Sequence, residues 1–257
     1  MFTLFITIKT YQMKKTNILL LLFASIFIML STSALATSPK VLVFSKTTHF
    51  RHSSAISGGK VMLEQLGKDN NFEVEATEDS NAFTAENLNK FDAVIFLCTT
   101  GDILNDEQQE VFEKFIKSGK GFVGIHSATD TEYDWPWYAE LVGAYFKNHP
   151  PGQQDVLLNI VDANHISTSH LPTEWNKTDE IYNFKWISEN LNVLIEVDEN
   201  SYKGGQNADF HPISWYREYD GGRSFYTALG HDEKSLNDPL LIKHILGGIK
   251  YALGQTK

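Results

Sequence analysis

Gly121-Phe122-Val123-Gly124-Ile125-His126-Ser127-Ala128-Thr129-Asp130 reads as a buried β-strand that delivers a histidine into a sharp turn. Gly119, Gly121 and Gly124 flank or interrupt the apolar run, as expected where a central strand is closely packed and the chain then turns abruptly towards a helix. The carboxyl ends of such strands carry the chemistry of α/β proteins, which makes His126 the leading functional candidate.

The residues before this strand alternate strand and helix signals. Residues 40–45 form a short apolar, β-rich run, and 55–66 place Ile56, Val61, Met62 and Leu66 near helical spacing. A second strand is expected over 72–76, a short helix over 85–88, a third strand over 91–98 and a helix over 106–117. That last helix has Asp106 as its expected N-cap, Val111, Phe112, Phe115 and Ile116 on its inner face, and Gly119 just past its end. Strands separated by helices of this length cannot pair as hairpins. The expected fold is therefore α/β, a three-layer flavodoxin-like or doubly wound core with a mostly parallel sheet and right-handed crossovers.

Residues 127–230 are different, rich in aromatics, histidine, proline and glycine, with weak helical periodicity. Strands are expected over 156–161, 193–197, 213–219 and 223–229. Gly221-Gly222 marks a turn between the last two, consistent with an antiparallel extension of the sheet. An amphipathic helix over 239–253 closes the chain. No repeat or linker interrupts 37–257, which is expected to be one domain.

Residues 1–36 have the parts of a secretory signal: Lys14 and Lys15 as a basic start, an apolar stretch over 18–30, and Ala34-Leu35-Ala36 as a small-residue cleavage pattern. Met13 stands directly before the lysines and is an alternative start. The apolar stretch is shorter than the roughly 20 residues of a spanning helix, so the mature protein is expected to be periplasmic or extracellular, with no stable membrane insertion. Cleavage removes three of the 22 basic residues and none of the 32 acidic ones, leaving 221 residues with a net charge of −13. Such a chain repels nucleic acid and anionic lipid, and a small neutral metabolite is the easier partner. With Cys98 as the sole cysteine, an exported chain must be stable without a disulfide, and the position of Cys98 at the end of an apolar strand marks it as a buried filler.

Nine histidines gather mostly where loops should meet at one end of the sheet. His49 and His52 follow the first strand, His126 the fourth and His231 the last, while His149, His170 and His211 lie in the decorated segment near Pro150, Pro172 and Pro212. Imidazole is matched to proton transfer near neutral pH and is also the commonest transition-metal ligand, so the cluster is consistent with either role. His165, in a polar loop, and His244, on a helix, are read as structural. No short-spaced pair such as His-Glu-x-x-His is present, so any divalent metal would be held by residues distant in sequence. Ser127 lacks the Gly-x-Ser-x-Gly elbow of a serine hydrolase. Among the acids near these histidines, Asp102, Asp130, Glu132 and Glu180, the last is singled out because apolar and aromatic neighbours can desolvate it. Tyr133-Asp134-Trp135-Pro136-Trp137-Tyr138 supplies rings that suit either a core or a sugar-stacking platform.

Several ordered segments carry a family resemblance: Phe50-Arg51-His52-Ser53-Ser54, residues 121–137, the run from Tyr138 to His149-Pro150, Thr168-Ser169-His170-Leu171-Pro172, Asp179-Glu180-Ile181-Tyr182-Asn183-Phe184, Asp198-Glu199-Asn200-Ser201-Tyr202, His211-Pro212-Ile213-Ser214-Trp215, and residues 222–231. Across residues 40–254 the chain resembles the ThuA-like family, named for trehalose utilisation. One departure is Asn164-His165-Ile166, where the family usually has His-Pro. The resemblance implies a class I glutamine amidotransferase-like fold without amidotransferase activity, because His126 stands where true members carry a cysteine in a Gly-x-Cys-x-Gly elbow. It implies a small-molecule carbohydrate as partner and an enzyme, a hydrolase or lyase, that cleaves or rearranges a 3-keto-glycoside. The expected acid/base residues are His126, His231 and Glu180. His49, Arg51, His52, Trp135, Trp137, His149, His170, His211 and Arg223 are expected to bind substrate. A non-catalytic sugar-binding module and a metal-dependent hydrolase are the alternatives.

Overall fold

The computed structural model describes residues 38–255. The expected secretory signal lies outside the described residues. No helix among the described residues is long and apolar enough to cross a membrane.

Four strands form the parallel start of the sheet: β1 (Lys40–Phe44), β2 (Glu73–Thr77), β3 (Ala93–Leu97) and β4 (Gly121–Ile125). β1, β3 and β4 are continuous apolar runs because helices cover both faces of the sheet there, as parallel sheets require. The helices between them are α1 (Ser53–Asn70), the short α2 (Ala85–Leu88) and α3 (Asp106–Lys117). α3 has the expected span but a different cap. Asn105, one residue before the expected Asp106, accepts from the Gln108 backbone while the Gln108 side chain accepts from the Asn105 backbone, a reciprocal capping box.

The chain then builds α4 (Pro136–Val142), β5 (Ala144–Asn148), β6 (Gln154–Ile160), β7 (Glu174–Asp179), β8 (Asn183–Ile187), β9 (Asn192–Val197), β10 (Pro212–Tyr219) and β11 (Gly222–Thr227). The main sheet has nine strands in the order β2-β1-β3-β4-β11-β10-β9-β6-β7, and β5 pairs with β8 separately. β11 lies parallel to β4 and antiparallel to β10, so it joins the parallel core to the antiparallel extension. The hairpin turn is Asp220-Gly221, one residue earlier than expected, with φ of 49° and 90°, the positive values a tight hairpin turn demands. β5, β7 and β8 were not expected from the sequence. In β7 the inward positions are Trp175, Lys177 and Asp179, all buried, so no apolar alternation betrays the strand.

The short α5 (Glu233–Leu236) and α6 (Pro239–Ala252) end the fold. α6 packs on β4 and β11, with Gly248 set so close to Phe225 that a Cβ there would enter the ring. His244 is wholly buried beneath this helix, its Nδ1 2.8 Å from the Ser167 carbonyl and its Nε2 2.9 Å from the Ser214 hydroxyl. A neutral ring donates at Nδ1 to the Ser167 carbonyl, while the Ser214 hydroxyl beside Nε2 also reaches the Tyr226 carbonyl at 2.7 Å. Burial pushes this imidazole down to about 3.

Between that value and the ordinary 6.5, the unfolded chain holds a proton that the native protein does not, so stability rises with pH across the window and is lost as pH falls through it. Between pH 6 and 4.5 the wild type should therefore lose stability more steeply than H244N, by up to about 1.4 kcal/mol per pH unit. Urea denaturation at a series of pH values checks this, and parallel profiles would remove His244 as a source of acid sensitivity.

Candidate active site

The strands β1, β3, β4 and β11 end on the same side of the sheet, and the loops that follow three of them supply the site. After β4 the backbone turns through His126 at φ 54°, a left-handed value that is costly for a residue with a Cβ and persists only where surroundings enforce it. Here the enforcement is visible. His126 Nδ1 lies 2.7 Å from the Ala228 carbonyl at the end of neighbouring β11, and the Tyr226 hydroxyl donates to the His126 carbonyl at 2.7 Å. Nδ1 must donate, so in the neutral ring Nε2 presents its lone pair inward.

Three further groups meet that atom. His52 occupies the N-cap position of α1, yet its side chain does not cap the helix. Its Nε2 lies 3.2 Å from Nε2 of His126. His231, in the loop after β11, places Nδ1 3.4 Å from the same atom. Glu180, immediately after β7, brings Oε2 to 3.1 Å from His231 Nδ1, 3.5 Å from His126 Nε2 and 3.9 Å from His52 Nε2. The four donor atoms all lie within 4.8 Å of one another. The Tyr182 hydroxyl reaches His126 Nε2 at 3.0 Å, and His149 Nδ1, 2.8 Å from the Pro150 carbonyl, lies 3.2 Å from the other carboxylate oxygen of Glu180.

The charges follow from burial and contact. Burial pushes His52 down to about 4, helped by His126 and His231 and opposed by Glu180, so His52 is neutral at pH 7. The hydrogen bond to Glu180 raises His231 above its ordinary value. Burial works to raise the Glu180 carboxyl, but the imidazoles of His126, His231 and His52 packed around it outweigh that and hold the group ionised. Burial drives Tyr182 far up, so its hydroxyl keeps its proton. The His126 side chain is sealed from solvent, whereas those of His231 and His149 are 25% and 38% exposed. Proton exchange with a substrate is therefore open to His231 and His149 and closed to His126.

The expected site residues divide clearly. His52, His126, Glu180 and His231 converge, His149 stands at the mouth, and His49 is exposed. His211 is buried one step behind, its Nε2 2.8 Å from the Tyr182 carbonyl and its Nδ1 2.7 Å from Glu199, so it orients Tyr182 instead of meeting a substrate. Five expected residues lie outside the cluster. Arg51 turns away to a two-point salt bridge with Glu78. Arg223 sits at the opposite end of β11, bonded to the Gly119 and Ala252 carbonyls. Trp135 and Trp137 stack on each other and pack on Phe112, with their N–H groups on Glu113 and Asp220. His170 binds the Leu240 carbonyl in α6. Of the other acids, Glu132 is spent on the Ile103 and Leu104 amides and on Gln109, Asp130 accepts from Tyr133, and Asp102 is exposed. Cys98 is buried and its thiol is pushed up by burial, as befits an inert filler.

Comparison with known proteins agrees with this fold. The sequence profile of the ThuA family, described as trehalose utilisation, matches residues 40–252. The chain belongs to the ThuA family. A ThuA-like protein from Bacteroides uniformis superposes with a TM-score of 0.73 at 20% identity, covering 88% of this chain and 96% of that one. A ThuA-like protein from Parabacteroides merdae gives 0.68 at 19%, covering 84% and 91%. PurLQS from Thermotoga maritima gives 0.53 at 13%, covering 86% and 100%, a likeness of fold that agrees with the parallel core and antiparallel extension seen here. No curated protein matched.

Sequence reasoning overlooked the roles of Tyr182 and Asp179, although both flank Glu180. Asp179 is wholly buried and accepts from the Gly230 amide at 3.0 Å, the His231 amide at 3.2 Å and the Ser235 hydroxyl. It thereby fixes the backbone of His231 and of Glu180 together. D179N keeps the shape but replaces an ionised acceptor by a neutral amide with one acceptor oxygen. The variant should lose about 1.5–3 kcal/mol of stability, read as a lower urea midpoint at unchanged slope, and a midpoint equal to wild type would show that the tie contributes nothing.

Proposed function

We propose that this ThuA-family protein is an exported enzyme of carbohydrate utilisation that cleaves or rearranges the glycoside of a keto-sugar. The observation that carries the reading is the convergence of His52, His126, Glu180 and His231 from four separate segments onto one point at the carboxyl ends of the parallel strands. Ligands of open α/β sheets bind at that end. A cluster of buried titratable groups is costly to fold and persists where chemistry uses it.

The chemistry suits a 3-keto-glycoside. A carbonyl at C3 acidifies the C2 proton. A base removes that proton, the electron pair is delocalised into the C3 carbonyl as an enolate, and expulsion of the C1 substituent returns the pair as a C1–C2 double bond while an acid protonates the leaving oxygen. The site requires one group that exchanges protons at the mouth and one electrophile for the developing oxyanion. His149 and His231 face the mouth and suit the first part, with Glu180 orienting both. His126, centred below them, supports the second through its neighbours. Alternation of a positioned acid and base accounts for a factor of roughly 10²–10⁴ in rate each.

A turnover screen of residues 37–257 against 3-keto-glycosides and their parent glycosides tests the reading. Release of free aglycone from the keto substrates alone is expected, and E180Q should lower kcat by at least about 10²-fold. Saturable binding of the sugars without turnover would make the protein a binding module instead. Export rests on the leader over 1–36, and the secreted protein should begin at Thr37 on N-terminal sequencing; an intact leader on soluble protein would contradict it.

A further inference from the structure

We propose that His52 Nε2, His126 Nε2, His231 Nδ1 and one oxygen of Glu180 form a binding site for a divalent transition-metal ion. The inference deepens the reading above by naming what the cluster holds, and rests on that reading only for the choice of substrate.

The separations are the first argument. Zinc bound by imidazole nitrogen and carboxylate oxygen at 2.0–2.1 Å puts tetrahedral ligand atoms about 3.3 Å apart. The five edges measured here are 3.1, 3.2, 3.4, 3.5 and 3.9 Å. A direct hydrogen bond between two neutral imidazoles would account for one such contact. It cannot account for four donor atoms each facing the other three.

The proton inventory is the second. His126 gives its only hydrogen to the Ala228 carbonyl from Nδ1, so Nε2 faces the cluster as a lone pair. His52 turns Nδ1 to the Ser127 hydroxyl at 3.4 Å, which leaves Nε2 as the inward atom. Glu180 contributes two acceptor oxygens and no hydrogen when ionised. His231 Nδ1 shares its hydrogen with Glu180, and the Tyr182 hydroxyl stands 3.0 Å from His126 Nε2; once His231 releases that proton and Tyr182 turns aside, the centre is surrounded by electron pairs that a cation would satisfy at once. Two outer contacts are those a metal site needs, a backbone carbonyl fixing the tautomer of one histidine and a hydroxyl beside the second, and His149 Nδ1 lies 3.2 Å from the free oxygen of the carboxylate.

Donor type sets the class of ion. Three nitrogens and one oxygen select zinc and its transition-metal neighbours over magnesium or calcium, which take all-oxygen shells. With four protein ligands in place, the ion would act as a Lewis acid on the keto oxygen by taking it as a fifth ligand, a part that the imidazoles alone fill poorly. His231 is then a ligand, and His149 is the imidazole left at the mouth to move the proton.

Chelator-treated protein of residues 37–257 titrated with zinc by calorimetry, with metal content measured after gel filtration, tests the site without any sugar. One equivalent per chain and a raised thermal midpoint are expected, with no comparable binding of magnesium. H52A, H231A and E180Q should each weaken zinc at least 100-fold, whereas H170Q should leave the stoichiometry at one. Cobalt loading should give a visible absorption band that H52A abolishes, a readout that a folding defect is separated from by the circular dichroism of the metal-free variant. Substoichiometric zinc at micromolar concentration, equal binding of magnesium, or affinity unmoved by H52A and H231A would overturn the proposal. Zinc binding without keto-glycoside turnover would leave the metal site standing and remove the substrate reading; turnover by metal-free protein that binds no zinc would leave the substrate reading standing and remove the metal site.

Discussion

Asp179 is a carboxylate sealed in the interior with its charge answered by three backbone amides, those of Glu180, Gly230 and His231, and a serine hydroxyl. Burying an ionised group this deeply is tolerated only when several donors converge on it. Apart from the adjacent Glu180 amide, its partners come from the loop after β11, four strands away in the sheet, and from α5 beyond it. In a flat sheet that separation is about 19 Å, so the antiparallel extension must twist and curl until its edge lies over the end of the parallel core. The tie at Asp179 holds that closure. Without it, Glu180 and His231 would belong to opposite margins of the molecule.

The parallel core supplies the other half of the centre by a different device. β4 is buried on both faces, and its end is locked to the end of β11 through the His126 ring, so the left-handed backbone at His126 is held by hydrogen bonds at both its side chain and its carbonyl. His52 enters from the start of α1, whose cap position is spent on the site instead of the helix. Rigid strand ends and a helix start position imidazoles more sharply than loops do, which suits a centre whose members lie within hydrogen-bond distance of one another.

Much of this was legible in the chain. The apolar runs over β1, β3 and β4, the helix over 106–117 and the final helix all announce themselves by periodicity, because each has a dry face and a wet one or is dry all round. β7 does not, since its inward residues are Trp175, Lys177 and Asp179, a pattern that reads as polar surface. Lys177 is inside because Asp238 and the Ser235 carbonyl receive its ammonium, partners supplied by residues about sixty positions later. Arg51 and Arg223 show the reverse error. Both sit in segments that carry the family resemblance, yet one is drawn to Glu78 and the other to helix-end carbonyls far from the centre.

The sequence by itself determined the layered α/β plan, the strand that ends in His126, the family, and the residue types from which a reactive centre could be built. These follow from local patterns, because periodicity and turn chemistry act over a few residues. Tertiary structure alone decided which histidines meet. The choice among nine depends on how far the extension curls, and that is set by a buried carboxylate and by packing between segments more than fifty residues apart. Such contacts leave no periodic trace in the chain, since each is a single pairing satisfied only once the fold has closed.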